Sequence, residues 1–140
     1  MIRAMRRQRK AGIGVTFVML YEGQVVGQLS VSDISAGALR SASIGYWVSR
    51  HVAGRGVTPT AVALAIDYAF AELRLHRIEI CIRPENAASL RVVHKLGMRY
   101  EGRRERYIHI DGKWCDHESF AVTGEEVPRG MLERLGAPST

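Results

Sequence analysis

The segment from His51 to Pro59, with the sequence HVAGRGVTP, places a Gly-x-Gly turn between a strand-like run and a helix-like run. Residues 43–49 alternate apolar with small or polar side chains, and residues 58–73 repeat apolar side chains at spacings of three and four. Glycine adopts left-handed backbone angles and has no Cβ. A Gly-x-Gly turn at a helix start can therefore direct several N–H groups and the helix dipole at one anion. The turn alone predicts either a phosphate site or an ordinary tight turn.

The size and composition of the chain predict one domain. Its 140 residues, 46% of them hydrophobic, are enough for one sizeable core. No run of about 18 apolar residues occurs. The five Arg and Lys residues among the first ten are not followed by the apolar segment of an export signal. Two cysteines, Cys81 and Cys115, give no disulfide framework. We expect a cytoplasmic protein with no membrane partner.

The charge balance is basic, with 20 Lys and Arg residues against 14 Asp and Glu residues and a net charge of +6. Such a surface attracts anionic partners, including a nucleotide-like cofactor, RNA or a ribosomal surface. The basic clusters contain few aromatic residues and match no nucleic-acid-binding motif. We interpret them as solvated faces and do not expect direct nucleic-acid binding.

Turn signals and apolar periodicity predict a hairpin followed by a strand-helix-strand unit. Residues 15–21 and 24–31 form the hairpin. Residues 43–49 and 77–83 are then strands joined through the helix at 58–73. Two strands connected by one crossover helix lie parallel. We therefore expect an α/β fold with a parallel strand pair at its centre.

The second half of the chain is punctuated by caps and a hairpin turn. Asn86 is a preferred residue at a helix N-cap, and Gly97 is suited to the C-terminal cap of the same short helix. Asp111-Gly112 favours a type I′ turn between strands at 99–110 and 113–122. The residues from Thr123 onward are rich in Gly, Pro and charge, and are predicted to be a loose tail.

Several motifs occur together in an order typical of one protein family. They are the strand Ile44-Gly45-Tyr46-Trp47-Val48, the turn His-x-x-Gly-x-Gly at 51–56, Arg83-Pro84-Glu85-Asn86, Ser89, and Lys95-Leu96-Gly97-Met98. In this order they closely resemble the GNAT N-acetyltransferases. Further residues resemble the branch that acetylates the N-terminal alanine of a ribosomal protein: Glu101-Gly102, Tyr107, Ile110-Asp111-Gly112-Lys113-Trp114 and Asp116-His117. The resemblance covers residues 14–125.

The resemblance implies the GNAT fold, an α/β (α+β) arrangement with a mixed, mostly antiparallel sheet and flanking helices. Its central parallel strands splay apart at their C-terminal ends, and acetyl-coenzyme A binds in the gap. The glycine turn would then hold the pyrophosphate, and a backbone N–H near Val48 would serve as oxyanion donor. The implied cofactor-binding residues are Tyr46, Val48, Val52, Gly54, Arg55, Gly56, Val57, Thr58, Asn86 and Ser89.

The implied chemistry is direct attack of an amine on the thioester in a ternary complex. Many members of the family place a tyrosine in the helix after the Asn as the acid, but Val93 occupies the matching position here. In the ribosomal-protein branch a serine one helical turn after the Asn approaches the sulfur, and Ser89 occupies that place. We expect Ser89 to donate a proton to the thiolate. The alternative is a helix-start serine that bonds to the backbone.

The residue that takes the proton from the amine is left open by the sequence. A related acetyltransferase uses a glutamate at the position that aligns with Ile108. The nearby candidates are Glu101, Glu105, His109 and His117, or a water relay. Histidine has the pKa best suited to this role, and we take Glu101 and His117 as the catalytic candidates. Cys115-x-His117 has no partner pair at metal-binding spacing, so no metal is expected.

Three functions remain from the sequence. The leading one is acetylation of a protein N-terminal α-amine. The others are acetylation of a small amine such as an amino sugar, polyamine or antibiotic, and a non-catalytic module that binds acyl-coenzyme A or associates with RNA. Members of the branch usually carry a strand and two helices ahead of the first hairpin, and residues 1–12 supply only the end of that segment. A homodimer is expected as a hypothesis. The predicted domain spans 1–125, with a tail at 126–140.

Overall fold

A computed structural model describes residues 2–10 and 14–136 of the chain. The strands are β1 (Ile2–Lys10), β2 (Gly14–Tyr21), β3 (Gln24–Ser35), β4 (Ser41–Val48), β5 (Arg77–Ile82), β6 (Arg99–Ile110) and β7 (Lys113–Thr123). The helices are α1 (Val57–Ala71), α2 (Ala87–Leu96) and α3 (Met131–Gly136). Short 3-10 turns occupy Arg50–Val52 and Gly124–Glu126. The seven strands form one sheet in the order β1-β2-β3-β4-β5-β7-β6.

The centre of the sheet contains the predicted parallel pair. Strands β4 and β5 are joined through Ser41 with Arg77, Ala42 with Ile78, and Ser43 with Glu79. Both strands continue past this last pair without pairing to each other again, so they separate toward their C-terminal ends. All the other neighbouring strands are antiparallel. The mixed sheet with a splayed parallel pair is therefore confirmed.

Helix α1 crosses between the two parallel strands and is buried over most of its circumference. The sequence predicted one apolar stripe facing a sheet. In the structure α1 contacts the sheet, α2 and α3. Small side chains permit this close approach, and the fully or almost fully buried residues include Ala61, Ala63, Ala65 and Ala69. The N-terminus of α1 is thereby fixed beside the open end of the strand pair.

The prediction of a loose tail after Thr123 is wrong for residues 124–136. Val127 and Met131 are buried in the core cluster. Asp67 of α1 accepts hydrogen bonds at the start of α3, with Met131 N at 2.6 Å from Oδ1 and Leu132 N at 3.1 Å from Oδ2. The Gly, Pro and charged residues of this segment gave no sign of its two apolar anchors, Val127 and Met131, or of the Asp67 carboxylate that caps its helix. Residues 137–140 lie outside the described residues.

The charged start of the chain forms a strand that its sequence pattern did not predict. Strand β1 pairs antiparallel with β2, from Ile2 opposite Tyr21 to Lys10 opposite Gly14. Its run of basic residues lacks the alternation that signals a half-buried strand. Because β1 covers the edge of β2, that edge is no longer available for a second copy. The homodimer stays a prediction.

Candidate active site

The glycine turn has the backbone conformation that its sequence predicted. Gly54 and Gly56 adopt φ angles of +80° and +78°, the left-handed region that favours glycine. A Cβ built on either residue meets no atom within 4 Å. Gly56 is also the N-cap residue of α1. The two glycines therefore leave open space in front of the helix start.

Several backbone N–H groups of the turn and of the helix start have no acceptor among the described residues. Within the turn, Arg55 N donates to Val52 O at 3.3 Å, and Thr60 N donates to Gly56 O at 3.2 Å. Among the described residues no acceptor is found for the N–H groups of Gly54, Gly56, Val57 and Thr58. The first turn of α1 contains no acidic residue. Free donors at the positive end of a helix dipole form a site for an anion.

The turn is anchored to the core on one side and exposed on the other. Val52 is only 2% exposed and belongs to the main core cluster. Arg55 is exposed. The buried Val52 thus anchors the turn to the core. The exposed Arg55 side chain can add positive charge at the outer surface of the turn.

A cavity of about 260 Å³ lies between this turn and α2, and we call it the turn cavity. Tyr46 and Val48 of β4 line it together with Ser89 of α2. The turn cavity is also lined by Gly54, Gly56, Thr58, Pro59, Arg91 and Lys95. Two cationic side chains and the free N–H groups make this an environment for an anionic ligand.

Helix α2 begins with the predicted cap. Asn86 Oδ1 accepts a hydrogen bond from Ser89 N at 3.1 Å. At the other end Gly97 has a φ of +70°, in the left-handed region typical of a C-terminal cap. The cap uses the backbone N–H of Ser89, so the Ser89 hydroxyl is not consumed by it. Both readings of the Asn86–Ser89 turn, capping and contact with a ligand, are geometrically compatible.

A second cavity of about 220 Å³, the strand cavity, lies where β4 and β5 separate. Its polar side chains are Tyr46, Cys81, Arg83, Asn86, Ser89 and His117. No Asp or Glu side chain lines it. Tyr46 and Ser89 line this cavity as well as the turn cavity. They mark the junction between the two spaces.

His117 presents one ring nitrogen that can act as a base. The side chain is 4% exposed, and Nδ1 lies 3.0 Å from the carbonyl oxygen of Cys115. A carbonyl only accepts hydrogen bonds, so this contact assigns the proton of a neutral ring to Nδ1 and leaves a lone pair on Nε2. His117 thus brings a potential proton acceptor to the strand cavity.

The other candidate bases lie away from both cavities. Glu101 binds Arg77 and Arg99 in ion pairs, and the hydrogen bond from Arg77 lowers its pKa to about 2. Its carboxylate is therefore occupied by two guanidinium groups. His109 is exposed against Trp114, and Glu105 pairs with its neighbour Arg106 on the surface. We assign no catalytic role to Glu101.

Tyr46, one of the cofactor-binding residues that the resemblance implies, also has a buried hydroxyl for which the sequence predicted no role. No hydrogen-bond partner of normal length and angle reaches Tyr46 Oη within the described part of the chain. Burial raises the pKa of Tyr46, and the neighbouring Ser89 side chain offsets part of that rise. An unsatisfied buried hydroxyl costs about 1–3 kcal/mol. The alternation of β4, which puts Tyr46 on the same face as Val48, was the available signal.

Residues 1–99 match the family model described as the acetyltransferase (GNAT) domain. The chain belongs to the GNAT family. It is similar to the probable N-acetyltransferase YjcK of Bacillus subtilis, at 41% identity over 101 residues, which cover 72% of this chain and 56% of YjcK. It is also similar to the Escherichia coli [ribosomal protein uS5]-alanine N-acetyltransferase, at 30% identity over 102 residues, 73% of this chain and 53% of that protein.

A solved structure has the same GNAT fold. Mycobacterium smegmatis RimJ in complex with CoA-disulfide superposes with a TM-score of 0.85 at 44% identity, covering 89% of this chain and 59% of RimJ. This GNAT chain thus spans between half and two thirds of the length of the relatives named here.

Two classes of feature are absent from residues 2–10 and 14–136. No three His, Cys, Asp or Glu side chains come together as a set that could hold a metal ion. No helix in these ranges combines the length and hydrophobicity needed to cross a membrane.

Proposed function

We propose that this chain transfers the acetyl group of acetyl-coenzyme A to a primary amine, most specifically the α-amine of a protein N-terminus. The observation that carries the proposal is the meeting of two cavities at Tyr46 and Ser89, with an anion site at one end and His117 at the other. An acetyl transferase needs such a junction, because donor and acceptor must come together with both reacting atoms in place.

The turn cavity fits coenzyme A on physical grounds. The unpaired N–H groups around Gly56 and the N-terminal dipole of α1 would hold the pyrophosphate, with Arg55 nearby. Beyond Ser43 the side of β4 that faces β5 is unpaired, and backbone groups near Val48 would be offered to the pantetheine amides. When bound, acetyl-coenzyme A supplies an activated thioester carbonyl. RimJ, which contains CoA-disulfide, supports this use of the same fold.

Two side chains would transfer protons in the reaction, one on the side of the amine and one on the side of the thioester. His117 Nε2 would accept a proton from the incoming ammonium group, since Nδ1 is committed to Cys115 O. The Ser89 hydroxyl would donate a proton on the other side of the junction. The backbone N–H near Val48 is proposed as the donor to the developing oxyanion.

The charge of the strand cavity favours an N-terminal α-amine over a polyamine. A polyamine carries several positive charges and requires acidic partners, but no Asp or Glu side chain lines this cavity. Arg83 brings a cation instead; its buried Nε lies 3.2 Å from a Glu85 oxygen, an ion pair that does not have the geometry of a hydrogen bond. Because this Nε–H makes no hydrogen bond within the described residues, it would suit the backbone carbonyl of a peptide. The uS5-alanine N-acetyltransferase relative supports the same acceptor class.

A thiol-release assay tests the proposal. Peptides that begin with Ala, Ser or Thr are compared with the same peptides carrying a blocked N-terminus, and with spermidine and an amino sugar. We expect release of free coenzyme A with the unblocked peptides alone. Turnover restricted to spermidine or the amino sugar would overturn the acceptor class. Binding of acetyl-coenzyme A without turnover on any amine would favour a non-catalytic binding module.

A further inference from the structure

Tyr46 and Ser89 occupy a position that other cavity residues do not share. Among the described residues they are the two whose side chains line both the turn cavity and the strand cavity. Tyr46 reaches this point from β4, beyond the last paired position of the parallel strands. Ser89 reaches it from the first turn of α2. Both residues therefore lie at the space where the strands separate.

The Tyr46 hydroxyl is buried but not satisfied by the protein. Its oxygen has almost no solvent contact and lacks a hydrogen-bond partner among residues 2–10 and 14–136. Buried polar groups in folded proteins are paired as a rule, so an orphaned hydroxyl at a cavity junction indicates a partner that is gained when the site is in use. The Ser89 side chain, which lies close enough to offset part of the rise in the pKa of Tyr46, is the neighbour within reach of that role.

We propose that Tyr46 is the proton source for the leaving thiol and acts through the Ser89 hydroxyl. This proposal rests on the proposed function and adds a positioning residue to it. In the transfer, the amine nitrogen forms a bond to the acetyl carbon, and the carbon–sulfur bond breaks with its electron pair on sulfur. Ser89 Oγ gives its proton to that sulfur and takes one from Tyr46 Oη. His117 Nε2 passes the first proton of the ammonium to solvent before the attack and takes the second proton from nitrogen as the amide forms. Exchange with solvent then removes that proton from His117 and returns one to Tyr46 Oη.

The protonation state of Tyr46 suits a donor. Burial raises the pKa of its hydroxyl, which keeps the group protonated at neutral pH. The titratable or charged groups around the junction come from three elements. They are Arg91 and Lys95 of α2, Cys81 of β5 with Arg83 just after it, and His117 of β7. No Asp or Glu side chain lines either cavity, so no carboxyl group there can replace Tyr46 as the proton donor. Val93, the position of the usual family tyrosine, is an apolar core residue here.

The first experiment titrates the thiol of bound coenzyme A and needs no acceptor amine. Ultraviolet absorbance of the thiolate is followed against pH for the wild type, Tyr46→Phe, Ser89→Ala and the matched control Tyr100→Phe. Tyr100 bonds Glu118 and lines neither cavity. A nearby donor stabilises a thiolate, so we expect its removal to make the bound thiol about tenfold less acidic in Tyr46→Phe and Ser89→Ala. Tyr100→Phe should leave the titration unchanged.

Calorimetry with coenzyme A at neutral pH separates this role from simple loss of structure. We expect Tyr46→Phe to keep the wild-type affinity within about twofold, because the phenyl ring preserves the packing of the tyrosine. An unchanged thiol titration in a Tyr46→Phe protein that binds coenzyme A normally would overturn the relay. A large loss of affinity in that variant would also overturn it, in favour of a purely binding role for the hydroxyl.

Kinetics with whichever amine is acetylated give a second readout. We expect Tyr46→Phe to lower kcat about tenfold to hundredfold with little change in KM for acetyl-coenzyme A. The double variant with Ser89→Ala should be no slower than the slower single variant, because both act on one proton. Fully additive losses would contradict the relay. If no amine is acetylated the proposed function fails, yet the thiol titration still decides the role of Tyr46.

Discussion

Ser43 and Glu79 form the last of the three pairs that join β4 to β5, and the two strands separate beyond them. Each element of the candidate site lies past this point. Tyr46 and Val48 follow it on β4, and Cys81 follows it on β5. The glycine turn then continues from β4, and α2 continues from β5. A break in the ladder of one strand pair thus creates both cavities.

The glycine turn should lose its ligand when either glycine gains a side chain. Gly56→Val forces a β-branched residue to a φ of +78° and fills the space in front of the free N–H groups. We expect affinity for acetyl-coenzyme A, measured by calorimetry, to fall at least about hundredfold, or roughly 2.7 kcal/mol. Gly54→Val should behave alike. Gly37→Val, also in open space but without a positive φ, is the matched control. Undiminished affinity in both turn variants would exclude the turn as the phosphate site.

Ser89→Ala should lower turnover without weakening cofactor binding. The cap of α2 uses the backbone N–H of Ser89, which alanine retains, so the helix start is preserved. We expect kcat to fall about tenfold to hundredfold while the Kd for acetyl-coenzyme A stays within about twofold. Ser32→Ala on β3, outside both cavities, should match the wild type in both measurements. A wild-type rate for Ser89→Ala would remove Ser89 from the proposed mechanism.

His117→Gln should change the pH dependence of the reaction. If Nε2 takes the proton from the amine, its loss should lower kcat/KM about tenfold to hundredfold and flatten the acid limb of the pH profile. His109→Gln provides the comparison, because His109 is exposed on the neighbouring strand against Trp114. A His117→Gln protein with an intact fold and an unaltered acid limb would show that another group or water takes the proton.

Glu101→Gln should affect stability and leave the reaction alone. The hydrogen bond from Arg77 lowers the pKa of Glu101 from 4.5 to about 2. A depressed carboxyl pKa stabilises the fold above pH 4.5, and this contribution is lost as pH falls toward 2. Because the pair is partly exposed, we expect a loss of only about 1 kcal/mol in unfolding free energy at neutral pH.

Urea unfolding of both proteins across neutral and acid pH checks this expectation. The difference between wild type and Glu101→Gln should shrink as the carboxyl protonates. The kcat of the variant should stay within about twofold of the wild type. A collapse of kcat in a stably folded variant would return Glu101 to the list of catalytic groups.

Asp67→Asn should loosen the C-terminal helix. The carboxylate accepts from Met131 N and Leu132 N at the start of α3, and the amide can replace only part of this charge-assisted cap. We expect a loss of about 1–2 kcal/mol in unfolding free energy. Glu72→Gln, at the exposed end of α1, should change it by less than about 0.5 kcal/mol. Equal stability of the two variants would mean that the Asp67 carboxylate contributes nothing to the anchoring of α3.

The sequence predicted those parts of the fold that depend on local chemistry. Asp111 and Gly112 have φ angles of +49° and +79°, as the predicted type I′ turn requires. Asn86 and Gly97 cap α2 as expected. These features follow from the conformational preferences of one or two residues. The parallel pair was predicted from connectivity, because two strands of one sheet that are joined by a single crossover helix lie parallel.

The missed features depend on contacts between distant parts of the chain. Strand β1 is recognised through its pairing with β2 rather than through its own pattern. The anchoring of Met131 depends on Asp67, far away in the sequence. The isolation of the Tyr46 hydroxyl and the pairing of Glu101 with Arg77 likewise depend on neighbours from other strands. For these residues the type of side chain was visible in the sequence, but its partners were not.

The short paired region between β4 and β5 also influences the order in which the molecule folds. Strands β1 to β4 form a meander, and β6 and β7 form a hairpin, so these pieces need only local contacts. The three pairs between β4 and β5 can form only after the intervening chain has closed a loop through α1, which carries an entropic cost. We therefore expect the two cavities beyond these pairs to be among the last features to form. Binding of coenzyme A in them then requires a chain that has completed its folding.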